Sequence, residues 1–340
     1  MAAKKHKKRR HWKVSGKERK KTIGVSAVIL LVIAGMVFLR FWESRDVAPV
    51  PQEQAGQQDS GYLVYNGNKF ELKPVTNYLM IGIDKFASQV SYDSYNNQQQ
   101  SDFLILLAVD EAEKTVTPIH INRDTVTPIP VLSLTGEVIG TTEQQLALAH
   151  TYGSGKEDSC ENTALAVSML LQNVPIHHYL STTMDAVQII NDAVGGVKVT
   201  VEDDFSGIDD TLVQGQQVTL LGEHALHFVR ARWGMEDSTN LARMARQRQY
   251  LNGLLEQTRT AVAENENLAL NSVLEVSPYL ISDCTVNQLS TLINDLLSYE
   301  VRPMRTLEGA AAIGQEFMEY YVDQEALTDL LVDVFYQVVE

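Results

Sequence analysis

NYLMIGID (77–84), FLILLAVD (103–110) and VTPIHINRD (116–124) are three apolar, β-branched runs, each ending on polar or charged residues. Runs of this length without polar alternation are expected of strands buried on both faces. Downstream, TEQQLALAHTY (142–152), ENTALAVSMLLQN (161–173) and MDAVQIINDAV (184–194) place apolar residues at helical spacing. The last meets Gly195-Gly196, a helix stop, before a short strand VKVTV (197–201). GEHALHFVRAR (222–232) and TNLARMARQRQYLNGLLEQTRTAV (239–262) read as helices, and 285–298 and 323–339 as two amphipathic ones. Strands alternating with helices predict an α/β layered fold.

Upstream the chain changes character. Residues 1–21 hold eleven Lys and Arg and one acid, Glu18, and residues 23–39 (IGVSAVILLVIAGMVFL) carry no charge. With Trp12 and Trp42 suited to the interfaces and Arg40 able to snorkel, a span over 22–42 crosses a bilayer core of roughly 30 Å. The basic flank comes first, so the tail 1–21 is expected in the cytoplasm and the rest outside. Arg-Phe-Trp-Glu-Ser-Arg after the apolar run is a poor cleavage site, so an anchor is expected rather than a removed signal peptide. Residues 43–76, rich in Gln, Gly and Pro, read as a stalk. A large domain at 77–260 and a helical extension at 261–340 complete the predicted organisation.

From Asp46 to Glu340 there are 15 basic and 41 acidic residues, a net charge of −26. Such a domain repels a phosphate backbone, which excludes non-specific nucleic-acid binding. Cys160 and Cys284 lie in this portion and could form one disulfide or stay as two thiols.

Five of those fifteen cations fall within nineteen positions, and all are arginine: Arg230, Arg232, Arg243, Arg246 and Arg248. Arginine binds phosphate oxygens in pairs, although a salt-bridged helix face would use the same residues. Arg243 and Gln247 share a helix face, with Arg246 beside them. Arg123 and Asp124 close one strand, Asp84 another, and Asp102 opens a third. Strand ends are where α/β folds place sites, and two carboxylates with several arginines would suit a metal-bridged phosphoryl-transfer centre. There is no GxxxxGK[ST], no GxGxxG after a strand, no HExxH and no CxxC. His224 and His227 sit at i, i+3, but no third ligand is evident, so packing or surface roles are expected.

The ordered set NYLMIGID, SDFLILLAVD, INRDT, NDAVGGVKVTVEDDF, LLGEHALHFVRAR and NLARMARQRQYL resembles the LytR–CpsA–Psr family of cell-wall ligases, from about Asn77 to Gln257. The resemblance implies a mixed central sheet flanked by helices. It implies transfer of a glycopolymer, with its proximal phosphate, from an undecaprenyl-pyrophosphate carrier to a peptidoglycan hydroxyl at the membrane. By that resemblance Asp84 and Asp102 hold Mg²⁺, and Arg123, Arg230, Arg232, Arg243 and Gln247 bind the pyrophosphate. Arg123, Asp84 and Asp102 would be catalytic. One departure stands out: where many members carry an arginine two residues before the second metal acid, this chain has Gln100.

Overall fold

The structure is a computed structural model that describes residues 62–90, 97–133, 135–232, 234–265, 267–314 and 317–339. The basic tail, the apolar run predicted to span a membrane, and residues 43–61 lie outside the described residues. Among the described residues no helix is long and apolar enough to cross a membrane.

The described chain opens on a hairpin where a stalk was expected. Strands β1 (Leu63–Tyr65) and β2 (Asn68–Leu72) pair antiparallel around Asn66-Gly67, whose φ angles are 49° and 78°. Asn-Gly supplies the two positive φ values that a tight hairpin turn needs.

β3 (Thr76–Ile83), β4 (Ser101–Asp110) and β5 (Thr115–Ile121) are the three decisive runs, joined antiparallel in that order. β6 (Val126–Leu132) and β7 (Val138–Gln145) form a separate hairpin. β8 (His178–Thr182) adds parallel to β3, and β9 (Val197–Thr200) pairs β10 (Gln217–Leu220). The remaining strands are β11 (Leu280–Ser282), β12 (Glu300–Val301), β13 (Arg305–Thr306), β14 (Gly309–Ile313), β15 (Met318–Val322) and β16 (Tyr336–Val338). The helices are α1 (Glu157–Leu170), α2 (Asp185–Ala193), α3 (Glu223–Arg230), α4 (Asn240–Glu264), α5 (Leu268–Val276), α6 (Val286–Ser298) and α7 (Gln324–Phe335).

The central sheet is mixed and seven-stranded, in the order β11-β8-β3-β4-β5-β12, with β13 also on β5. Along β4 the side chains alternate. Leu104, Leu106 and Ala108 join a core with Val167 and Leu170 of α1 and Leu327, Leu331 and Phe335 of α7. Ile105, Leu107 and Val109 join a second core with Leu292 of α6. Both faces are therefore covered, which explains the unbroken apolar run. Each such Leu or Ile contributes about 1.5–3 kcal/mol on full burial. A third core packs the β9–β10 hairpin against α3 and α4 through Val197, Phe205, Phe228 and Tyr250.

Three expectations need correction. Residues 142–145 belong to strand β7, and only Leu146–Thr151 coil, as a short 3-10 turn. β-branched Thr141 and Thr142 pair with β6 there, and pairing overrides the helical spacing. Residues 336–338 are β16, which caps the open edge of β2, so α7 ends at Phe335. The segment 261–340 is not purely helical: β11 closes one edge of the central sheet, and β12 and β13 cover the other. Cys160 and Cys284 are both free thiols.

Candidate functional site

Strand register builds the site. β3 and β4 pair in one register up to Gly82↔Phe103, and then shift so that Ile83 faces Ser101. The residue left over is Asp102. A bulge of this kind turns the extra side chain out of the sheet's alternation. On the other side, Leu104 pairs Ile121 antiparallel, so the same register two residues on sets Asp102 opposite Arg123. Asp84 follows β3, where its backbone N–H donates to Gln100 O at 3.1 Å and its Oδ1 accepts from Gln100 N at 3.1 Å.

The side chains converge accordingly. Arg123 donates from Nη1 to Asp102 Oδ1, from Nε to Asp124 Oδ1 at 3.2 Å, and from Nη2 to Gln100 Oε1 at 2.9 Å. Arg243 enters from the first turn of α4 and donates from Nη1 to Asp102 Oδ2 at 2.8 Å. That turn is fixed twice. Thr239 caps it by accepting from Ala242 N, and Asn240 Nδ2 donates to Asn122 Oδ1 at 2.6 Å. Asn240 Oδ1 in turn receives Arg243 Nε and Nη2 at 3.0 and 2.6 Å. Asn122 and Asn240, both buried, were missed by the sequence reading. The only signal was the placement of Asn122 beside Arg123.

Burial pushes the Arg123 and Arg243 guanidiniums below their ordinary value; Asp124 counters this at both, and Asp84 also does so at Arg243. An arginine starts so high that both remain cationic. Arg232 lies near enough to add to the positive field at Arg123, and its Nε donates to Ser238 O at 2.8 Å. Arg230 stands over the Phe86 ring at 5.9 Å, next to the Asp84 turn.

Two members of the arginine-rich segment do other work. Arg246 donates to Asp203 Oδ2 at 2.7 Å, to Phe228 O at 3.2 Å and to Ala231 O, and so braces the C-terminal end of α3. Gln247 Nε2 donates to Val229 O at 3.2 Å, a tie from α4 to α3, while its buried Oε1 has no hydrogen-bond partner among the described residues. At this strand-end site the carboxylates that could hold a divalent cation are Asp84 and Asp102.

The sequence pattern of the LytR_cpsA_psr family matches residues 50–332. The chain belongs to this family. Among curated relatives in the LytR–CpsA–Psr family, the polyisoprenyl-teichoic acid–peptidoglycan teichoic acid transferase TagU of Enterococcus faecalis is 28% identical over 272 residues, covering 78% of this chain and 77% of that protein. The corresponding transferase TagV of Bacillus subtilis is 26% identical, covering 69% of this chain and 56% of TagV. Two solved structures share the fold. TagT bound to LIIa-WTA superposes with a TM-score of 0.58 at 22% identity, covering 76% of this chain and 89% of TagT. Protein gbs0355 of Streptococcus agalactiae superposes with a TM-score of 0.61 at 18% identity, covering 76% of this chain and 86% of the other.

Proposed function

We propose that this protein is a transferase that moves an anionic glycopolymer, with its proximal phosphate, from a polyprenyl-pyrophosphate carrier onto a hydroxyl of peptidoglycan. The observation that carries the reading is the pair of guanidiniums, Arg243 buried and Arg123 largely so, clamped on Asp102 at the bulge of β4. It is supported by the family's curated transferases TagU and TagV.

In this reading the acceptor oxygen attacks the glycan-linked phosphorus, and the bond from that phosphorus to the bridging oxygen breaks. The polyprenyl monophosphate leaves with the electron pair. Charge grows on oxygens that Arg123, Arg243, Arg230 and Arg232 can meet with fixed donors, which is how a protein lowers the barrier to phosphoryl transfer. The acceptor's proton goes to Asp84, the more exposed carboxylate at 28%, because the two guanidiniums on Asp102 oppose its protonation.

Magnesium fits the donor set. Asp84 and Asp102 offer hard carboxylate oxygens, and each oxygen of Asp102 keeps a lone pair beyond the one its arginine uses. When bound, the cation would neutralise charge on the pyrophosphate. The basic tail and apolar run would hold the chain in the membrane with residues 62–340 outside.

The test incubates the full chain in detergent with a polyprenyl-pyrophosphate-linked glycan, peptidoglycan fragments and Mg²⁺. Glycan attached to peptidoglycan through phosphate is expected. Free phosphorylated glycan alone would make the protein a hydrolase, and no turnover would remove the enzymatic reading. Arg123→Ala should lose activity by roughly tenfold to a hundredfold, the value of one charge-assisted contact.

A further inference from the structure

Helix α3 carries a second concentration of chemistry ahead of Arg230. His224 and His227 lie one turn apart on one face. Both rings turn Nδ1 towards a single oxygen, Asp209 Oδ2, at 2.6 and 2.9 Å. Asp209 comes from the connection between β9 and β10, and its side chain is 4% exposed while the two imidazoles are 39% and 36% exposed. The other oxygen, Oδ1, accepts from Thr211 N at 3.2 Å and Thr211 Oγ1 at 2.5 Å. Burial resists charge on Asp209, and the hydrogen bonds from His224, Thr211 and His227 outweigh it, holding the carboxyl well below the usual carboxylate range.

We propose that Asp209, His224 and His227 form a binding site for one Zn²⁺, open to solvent at its fourth position. One ligand atom from each lies within 4.8 Å of the others, and two imidazoles with one carboxylate are a zinc donor set. Imidazole nitrogens select such a borderline cation over magnesium. Thr211 supplies the outer hydrogen bonds that aim the carboxylate. Ligand atoms about 2.0–2.1 Å from a tetrahedral zinc stand roughly 3.3 Å apart, so the contacts of 2.6 and 2.9 Å need open by less than about 1 Å. The exposed rings can make that adjustment.

A second cluster, His178, Asp283 and Cys284, is the weaker candidate. There His178 already has both ring nitrogens engaged, Nδ1 at 3.3 Å from Asp283 Oδ2 and Nε2 at 3.3 Å from Gln288 Nε2. Asp283 already accepts from Tyr179 N at 2.9 Å.

A cation at Asp209 would fasten the 201–216 connection to α3, the helix that presents Arg230. Asp203 of the same connection is tied to Arg246 at 2.7 Å, so the loop would be held at two points, one of them dependent on metal.

The experiment uses the full chain purified in detergent without a histidine tag, stripped by chelator, exposed to Zn²⁺ and desalted, with metal measured by mass spectrometry. One zinc per chain is expected, with a rise in Tm that chelator reverses. His227→Gln keeps an N–H donor for Asp209 but removes one of three ligands, and should weaken binding at least about tenfold. Its circular dichroism reports whether the fold is intact. Cys284→Ser should retain the zinc. The proposal is overturned if wild type holds no stoichiometric zinc, if zinc survives in a folded His227→Gln, or if Cys284→Ser loses it. None of these readouts depends on transferase activity.

Discussion

At position 100 the chain has a neutral amide whose Oε1 accepts from Arg123 Nη2 at 2.9 Å and whose backbone N–H serves Asp84 Oδ1. An arginine there could not accept, and would set a second cation against the first. Arg123 therefore has three acceptors, Asp102, Asp124 and Gln100, arranged around one planar fork. A lysine keeps the charge but cannot reach all three. Arg123→Lys should thus lose about tenfold in transfer rate, less than Arg123→Ala; full activity would mean that charge alone suffices. The two carboxylates should separate in a different way. Asp102 lies between Arg243, which is buried, and Arg123, which is largely so, and Asp102→Asn should cost about 3 kcal/mol in urea unfolding as well as activity. Asp84, more exposed and 4.0 Å from Lys85 Nζ, should cost less than about 1 kcal/mol as Asp84→Asn while transfer is still lost.

Helix α4 shows why an arginine cluster is hard to apportion from spacing. Arg243 and Arg246 are both buried and one turn apart, yet one reaches a carboxylate at the strand bulge and the other reaches the carbonyls that end α3. A helix C-terminus attracts a cation as an anion site does, so residue type cannot separate the roles; only the docking angle of α4 can. Arg246→Ala would leave Asp203 and the carbonyls of Phe228 and Ala231 without this donor. It should lower stability by about 2–4 kcal/mol, with little change in KM for the lipid-linked substrate in the fraction that remains folded. The central strands, by contrast, were legible because burial on both faces leaves an unbroken apolar run. Asp84, Asp102 and Arg123 were legible because polar residues end such runs. The bulge that singles out Asp102 was not, since a one-residue shift in pairing leaves no mark in composition. Gln247 shares a face of α4 with Arg243 by spacing alone, but its amide serves Val229 O, a partner set by how two helices meet. His224 and His227 were dismissed because their third group, Asp209, precedes His224 by fifteen residues and meets it only through the turn of the β9–β10 connection.

Among the described residues, two buried histidines carry the largest downward shifts and dominate the response to acid. His120, on β5, is 1% exposed with its ring 5.4 Å from Phe103, and its Nδ1 has no hydrogen-bond partner among the described residues. Burial, together with the charges of Arg248 and Arg243, lowers it to about 3. His150 is fully buried, with Nδ1 at 3.0 Å from Gln99 O and Nε2 at 3.8 Å from Cys160 Sγ. Burial lowers it to about 4 against opposing help from Gln99 and Asp158. In the unfolded chain both titrate near 6.5. Between about pH 6.5 and 4 the unfolded state therefore binds protons that the folded state refuses, so stability must fall as pH falls. Each histidine contributes up to about 1.4 kcal/mol per pH unit, or about 2–3 kcal/mol per unit for the pair. A total stability of about 5–15 kcal/mol cannot absorb that over two pH units without a large loss. Urea midpoints of the full chain at pH 7, 5.5 and 4.5 should drop steeply over that interval. His120→Gln, whatever it does to the midpoint at pH 7, should flatten the decline by up to about half, because it removes one of the two most strongly lowered histidines, while His150 and the less buried His177 remain. An unchanged slope in that variant would mean that His120 takes up its proton within the folded state, and that the cations of α4 do not act on it as their positions imply.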